Sequence, residues 1–482
     1  MSEIAFLEPD KSIIARRDEI GEELRRLLPD DCVVTAEREL VPFETDGFTA
    51  YRRVPLAVVL PETTAQLSRV MRYLAHEGIP VVPRGAGTSL SGGAIPQEDA
   101  VVVGVSKMSR ILEIDLPNRF ARVQAGVTNL AISDAVDGDG FFYPPDPSSQ
   151  LACTIGGNIA MNSGGAHCLK YGVTTNNLLG AKMVLFDGTV IDVGGAAMDA
   201  PGYDLLGLLC GSEGQLGIIT EATVRLIAKP AGARPVLFGF ENGEAAGACV
   251  ADIIGAGIIP VAIEYMDKPA IEICEAFANA GYPLDVEALL IVEVEGSEAE
   301  MDAMLERIVA IAKKHNVKTV RESQSATEAA LIWKGRKSAF GATGRIADYI
   351  CMDGTVPLGQ LAHVLSETSK IVARYGLRVA NVFHAGDGNM HPLILYDVND
   401  ADEARKAELA GADILKLCVD AGGCLTGEHG VGIEKRDLML HQYSEADLGQ
   451  QMAVRHAFDP DWMLNPSKVF PLESRGLNSK AA

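Results

Sequence analysis

The stretch Arg84-Gly85-Ala86-Gly87-Thr88-Ser89-Leu90-Ser91-Gly92-Gly93 restricts the folds open to this chain more than any other feature. Glycine accepts positive φ and has no Cβ, so several backbone N–H groups of such a loop can turn toward one point and hold a diphosphate. Two common phosphate loops are excluded. Leu90 stands where a Rossmann fingerprint requires its third glycine, and no Gly-Lys-Ser/Thr follows for a P-loop. Pro80 to Pro83 reads as a strand entering the loop and Ala100 to Val105 as a strand leaving it, so the motif is a strand-loop-strand cradle. Ahead of it come a short N-terminal helix and the apolar strand Pro55 to Leu60. A helix follows that strand, carrying Leu67, Val70, Met71 and Leu74 on one face. Thr63 and Gln66 fit a capping box for that helix, and Gly78 fits its end.

Two further stretches have the same character. Pro144 to Ser149 leads into Thr154-Ile155-Gly156-Gly157-Asn158-Ile159-Ala160-Met161-Asn162-Ser163-Gly164-Gly165, and Gly211 to Thr220 precedes the strand-like Ala222 to Ile227. Several cradles in one domain point to an extended ligand. From about Arg53 to Lys229 this order of motifs resembles the FAD-binding domain of the vanillyl-alcohol-oxidase (PCMH) type. The resemblance implies that Arg84, Gly85, Ala86, Gly87, Thr88 and Ser89 hold the FAD pyrophosphate. It places Pro147, Ser148, Thr154, Gly157, Asn158 and Asn162 along the isoalloxazine and ribityl portion, and Glu213, Gly217 and Ile219 toward the adenine end. Members that bond FAD covalently often carry a histidine where this chain has Thr88, so non-covalent FAD is expected.

Composition narrows the remaining classes. A chain of 482 residues exceeds what one hydrophobic core supports, so two large domains are expected. A formal net charge of -23 with no basic stripe argues against nucleic acid and anionic lipid as partners. Nine cysteines without a CxxC pair read as reduced thiols. The charged start, Met1 to Asp30, does not read as a signal peptide, and no apolar run approaches the ~18 residues of a membrane span. The expectation is a cytoplasmic protein without direct membrane insertion, associated with a membrane only through partners.

Beyond Pro230 strands and helices alternate: a strand at Val236 to Phe240, a helix near Ala245 to Ile254, a strand at Val261 to Met266 and a helix near Ala270 to Ala280. A strand at Leu289 to Val294, a helix at Glu298 to His315 and a short strand near Val317 follow, which fits an α+β, ferredoxin-like substrate domain. The expected organisation is a helical lead-in (1–52), an FAD domain (53–232), a substrate domain (233–470) whose last helical segment returns to the flavin, and a tail (471–482). Leu377 to Phe383 and Pro392 to Tyr396 read as strands around Gly-Asp-Gly-Asn, so His384 and His391 flank a hairpin loop with Cβ atoms ~5 Å apart if they face each other. Glu428, in the glycine-lined loop Thr426 to Gly432 after the helix Ala404 to Val419, completes a two-histidine, one-carboxylate set suited to a divalent metal such as zinc.

This half resembles the D-2-hydroxyacid dehydrogenase branch of the FAD-linked oxidases, through Asn381 to Leu395, Ile332 to Lys337 and Tyr349 to Thr355. The resemblance implies metal at His384, His391 and Glu428, with His429 as the base that receives the hydroxyl proton. Arg336 is expected to pair with the substrate carboxylate, with Asn389 as a neutral helper. In the hydroxyglutarate members a lysine stands where this chain has Cys351, so a short acid is favoured, glycolate first and D-lactate second. No iron-sulfur cysteine run and no nicotinamide fingerprint accompany the flavin. Glycolate-oxidising members pair such a chain with a second flavin subunit and an iron-sulfur subunit, and similar partners are expected here. The alternatives are a stand-alone D-lactate dehydrogenase with a quinone or cytochrome acceptor, a silent flavin-bearing assembly subunit, and a metal-dependent hydrolase.

Overall fold

The computed structural model describes residues 4–197 and 202–472, so residues 473–482 of the expected tail lie outside the described residues. The chain divides into two compact units. An N-terminal unit comprises Ile4–Gly164, Val173–Ala228 and the segment from Glu428 onward, and a central unit comprises Gly165–Gly172 and Lys229–Gly427. The sequence draws one boundary at 232/233, whereas the structure returns the last segment to the N-terminal unit and gives 165–172 to the central one. Hydrogen bonds account for both departures. Val81 N donates to Met463 O at 2.9 Å and Asn465 N to Val81 O at 2.7 Å, which ties the last segment to an edge strand of the N-terminal unit. Lys170 Nζ donates to Glu295 Oε1 at 2.6 Å, which ties 165–172 to the central sheet.

The N-terminal unit has the two-part architecture of the vanillyl-alcohol-oxidase type. One sheet runs in the order Val33–Val34, Ala57–Val59, Val101–Gly104, Val81–Arg84. Its last three strands are parallel, with Val81 opposite Val101 and Arg84 opposite Gly104. Parallel neighbours require a crossover, usually a helix. Here the glycine-rich loop itself is the crossover. The other sheet is antiparallel, in the order Ile111–Asp115, Phe120–Gln124, Ile218–Arg225, Leu178–Val184, Val190–Gly194. Helix Thr64–His76 packs Leu67, Val70, Met71 and Leu74 into the core, and Gly78 follows it at φ 66°. Its cap differs from the expected reciprocal box. Thr63 accepts from Gln66 N at 3.2 Å, but Gln66 Oε1 accepts from Glu62 N at 2.6 Å, one residue before the donor of a reciprocal box.

The central unit is built on a seven-stranded sheet. Its first four strands, Thr319–Glu322, Ala233–Phe240, Ala288–Glu295 and Ala262–Asp267, lie in the order 4-1-3-2 by sequence and pair antiparallel, as in a ferredoxin-like unit. The sheet then continues through Arg378–His384, Pro392–Tyr396 and Asp348–Cys351. Helices Lys268–Ala278 and Ala326–Lys337 cover one apolar cluster, which includes Leu237, Ile271, Leu289, Ile332 and Val382. Among the described residues no helix is long and apolar enough to cross a membrane.

Candidate active site

In the N-terminal unit the three glycine-rich stretches meet. Thr154 caps the short helix Ile155–Met161 by accepting from Gly157 N at 3.3 Å. A Cβ on Gly85 would lie 2.5 Å from Thr154 Oγ1 and 3.4 Å from Gly157 Cα, so the first loop approaches the second only because residue 85 is glycine. The third stretch docks on the second through Gly211 N to Ile159 O at 2.8 Å and Glu213 N to Ala160 O at 2.7 Å. Gly85, Gly87, Thr88 and Ser89 are half-buried, while Ala86 and Ser148 are exposed, so the backbone of these residues remains within reach of a ligand.

The last segment of the chain closes this cradle, a return expected from the sequence, although residues such as Gly432 and Asn465 carried no signal there. Ser91 Oγ donates to His429 O at 2.9 Å, and Ile433 N donates to Ser91 O at 2.9 Å. Gly432 has φ 54°, and a Cβ there would collide with the Ser91 carbonyl. Asn465 Nδ2 donates to Gly93 O at 3.0 Å and to Glu213 O at 2.7 Å, while its buried Oδ1 has no hydrogen-bond partner. A buried polar atom left over at the junction of two glycine-rich loops is what a polar cofactor would satisfy. The residues present therefore fit FAD.

Several of the expected cofactor contacts also support the loops. Both carboxylate oxygens of Glu213 accept backbone N–H groups, Val431 at 2.6 Å and Gly432 at 2.8 Å, because the 430–432 turn would otherwise bury unpaired donors. Arg84 donates to Thr45 O at 2.8 Å and Pro42 O at 3.4 Å, so its guanidinium fastens the loop. Asn162, at φ 53°, terminates helix Ile155–Met161 and accepts from Thr175 N at 2.9 Å. Gly217 packs against Met183, where a Cβ would collide, and Ile219 is buried in its strand. Beneath the loops Asp46 accepts from Phe48 N and Ala94 N, and Lys468 Nζ donates to Ile95 O at 2.7 Å. Burial pushes the Asp46 carboxyl up to about 6 and the Lys468 amine down to about 7.

In the central unit the predicted hairpin is present. Strands Arg378–His384 and Pro392–Tyr396 pair antiparallel around a tight turn with Gly388 at φ 74°. The His384 and His391 rings lie edge to face with centroids 5.1 Å apart. His384 Nδ1 is 2.8 Å from Glu264 Oε1, and His391 Nδ1 is 3.3 Å from Met352 O. Holding Nδ1 from behind leaves Nε2 to face away from each partner, the stance that metal-bound histidines also take. Arg336 is buried, with Nη2 2.6 Å from Glu264 Oε2, and its Nε–H has no hydrogen-bond partner. Nη2 of Arg336 is thus committed to Glu264. Burial opposes ionisation of Glu264, but Arg336 and His384 together outweigh it and hold the carboxyl below its usual range. Asn389 N donates to His384 O at 3.2 Å, and its buried Oδ1 has no hydrogen-bond partner.

Residues 229–469 match the model for the C-terminal domain of FAD linked oxidases, and residues 55–194 match an FAD binding domain. The chain belongs to the FAD-linked oxidases. It is an FAD-dependent oxidoreductase. It is 48% identical over 449 residues to glycolate oxidase subunit GlcD of Escherichia coli strain K12, covering 93% of this chain and 90% of the relative. It is 40% identical to glycolate oxidase subunit GlcD of Bacillus subtilis (90% and 93% covered) and 34% identical to the D-lactate dehydrogenase of Archaeoglobus fulgidus (86% and 90% covered). Among solved structures, 4-ethylphenol oxidase from Gulosibacter chungangensis superposes with a TM-score of 0.79 at 18% identity, covering 96% of this chain and 99% of that one. p-Cresol methylhydroxylase gives 0.78 at 17%, covering 96% and 98%. These two likenesses concern the fold alone.

Within this FAD-linked oxidase the expected residues fall into two sets. His384, His391, Arg336 and Asn389 lie together in the central unit, joined by Glu264 and by Asp353. Asp353 Oδ2 accepts from Gly427 N at 3.0 Å and its Oδ1 lies 3.8 Å from His391 Nδ1. Glu428 and His429 belong to the N-terminal unit, where His429 Nε2 lies 3.8 Å from Glu428 Oε1. Glu264 carried no motif, only an isolated acid in the apolar strand Val261 to Met266, and that was the signal available to find it.

Proposed function

We propose that this chain oxidises a short 2-hydroxy acid, glycolate to glyoxylate in the first place, and passes the electrons to partner subunits. The observation that carries the reading is the buried set of His384, Glu264 and Arg336 beside His391, which presents a guanidinium edge and two backed imidazoles suited to an α-hydroxy carboxylate. The names of the E. coli and B. subtilis relatives support glycolate, and that of the A. fulgidus relative supports D-lactate as the second reading.

Non-covalent FAD, when bound, supplies the two-electron acceptor at flavin N5. A divalent ion such as zinc, held on the central unit's side by His384 and His391, would supply Lewis-acid stabilisation of the substrate's oxygens. The chain's own groups do the rest. Arg336 binds the carboxylate through the N–H groups not committed to Glu264. Asn389 Oδ1 accepts from the substrate hydroxyl and orients it. His429 takes the hydroxyl proton onto its imidazole as the α-hydrogen departs. The cytoplasm is the proposed location, with a second flavin subunit and an iron-sulfur subunit as partners.

Anaerobic mixing of the FAD-loaded chain with glycolate, D-lactate, L-lactate and D-2-hydroxyglutarate tests this directly. Rapid bleaching of the flavin absorption is expected with glycolate, slower bleaching with D-lactate, and little with the other two. No bleaching with any of the four would sink the proposal, and a clear preference for D-lactate would favour the second reading.

A further inference from the structure

Helix Ala326–Lys337 is fastened to the central sheet at two points one turn apart, and each fastening is a carboxylate that also holds a histidine. At Arg336 the carboxylate is Glu264, which has no exposure to solvent; Oε1 lies 2.8 Å from His384 Nδ1 and Oε2 lies 2.6 Å from Arg336 Nη2. At Trp333 it is Glu293, whose Oε1 accepts from the indole Nε1 at 2.8 Å and whose Oε2 lies 3.0 Å from His167 Nε2. The two acids sit on adjacent antiparallel strands, with Ala262 opposite Glu293 and Glu264 opposite Ile291, two residues along. They therefore project from the same face of the sheet.

The chemistry at the two anchors differs. Trp333 and His167 have no role in binding substrate in the reading above, whereas Glu264 serves two groups that do. A carboxylate accepts only, so His384 must present Nδ1–H to it, and the neutral ring then carries its lone pair on Nε2. The same carboxylate neutralises Arg336 and fixes which edge of the guanidinium stays open, the edge carrying the unpartnered Nε–H.

We propose that Glu264 is a positioning residue that sets the tautomer of His384 and the aim of Arg336 at once, coupling the two halves of the substrate site through one side chain. Glu293 is the matched anchor without that coupling. The aim of Arg336 at substrate rests on the functional reading above, while the tautomer of His384 does not.

Glu264→Gln, Glu264→Asp and Glu293→Gln are compared with the parent chain. Asp keeps the buried charge, and with it the fold, but is one methylene too short to hold both partners. In metal-free protein labelled with ¹⁵N-histidine, the His384 resonances are assigned by their loss in His384→Gln. The parent is expected to show a protonated Nδ1 and an unprotonated Nε2, Glu293→Gln the same, and both Glu264 variants a shifted or mixed tautomer. With glycolate, Glu264→Gln is expected to lower kcat/KM by roughly 10- to 100-fold, much of it in KM, with Glu293→Gln within about twofold of the parent. An unchanged His384 tautomer in both Glu264 variants, or identical behaviour of Glu264→Gln and Glu293→Gln, overturns the proposal. If the parent oxidises none of the acids, the functional reading fails, and the imidazole spectra still decide the role of Glu264.

Discussion

The two units build their sites from opposite materials. In the N-terminal unit the cradle is mostly backbone: glycine-rich loops approach because side chains are missing at positions such as 85 and 432, and the polar side chains nearby, Glu213, Arg84 and Asn465, mainly hold loop backbone. In the central unit the candidate site is made of side chains, His384, His391, Arg336 and Asn389, propped by buried carboxylates on regular strands and loops. A long, polyanionic cofactor suits the first kind of site, because many N–H groups share its charge without counter-ions. A small anion that must be oriented to a fraction of an ångström suits the second.

This contrast predicts that substitutions separate by what they disturb. The largest effect is expected at His429, a reactive side chain carried on the backbone-built unit. His429→Ala should lower kcat by about 100- to 10,000-fold while the flavin spectrum and FAD content stay at parent levels. If FAD is lost instead, the residue belongs to the cradle and the proposed base must be sought elsewhere. Next in size, Gly432→Ala forces an alanine into φ 54° against the Ser91 carbonyl, and should cost roughly 1–3 kcal/mol of stability together with retention of FAD. Thermal unfolding and the ratio of flavin to protein absorbance measure both, and unaltered FAD content would break the contrast.

The smallest effect concerns pH. Lys468 has a folded value near 7 against 10.5 unperturbed, so between those limits the unfolded chain binds more protons and stability rises with pH. Asp46 has a folded value near 6 against 3.8 unperturbed, so between those limits the folded chain binds more protons and stability falls as pH rises. The transition temperature is expected to reach a minimum between about pH 6 and 7 from these two groups, and Lys468→Met should flatten the alkaline limb. A variant whose limb matches the parent's would remove Lys468 as its source.

Local patterns carried far in the sequence. The 3.6-residue spacing of Leu67, Val70, Met71 and Leu74, the alternation beyond residue 233, and the turn between His384 and His391 are short-range signals, and each reappears in the structure nearly where it was read. The glycine loops were legible for the same reason: absence of Cβ atoms is visible in one dimension. The structure differs wherever a partner lies far along the chain. Glu213 meets residues 431 and 432, Glu264 meets 336 and 384, and Asn465 meets 93.

The sequence by itself determined the cofactor class, the two-part first domain, the ferredoxin-like second, and the histidine pair. Only tertiary structure decided which polar residues are free for a ligand, because the cost of burying a charge is settled by whichever group the fold brings within 3 Å of it. It also decided through which contacts the end of the chain, expected to return to the flavin, completes the first unit. That outcome depends on backbone donors and acceptors at residues 81, 432 and 465, which no side-chain pattern encodes.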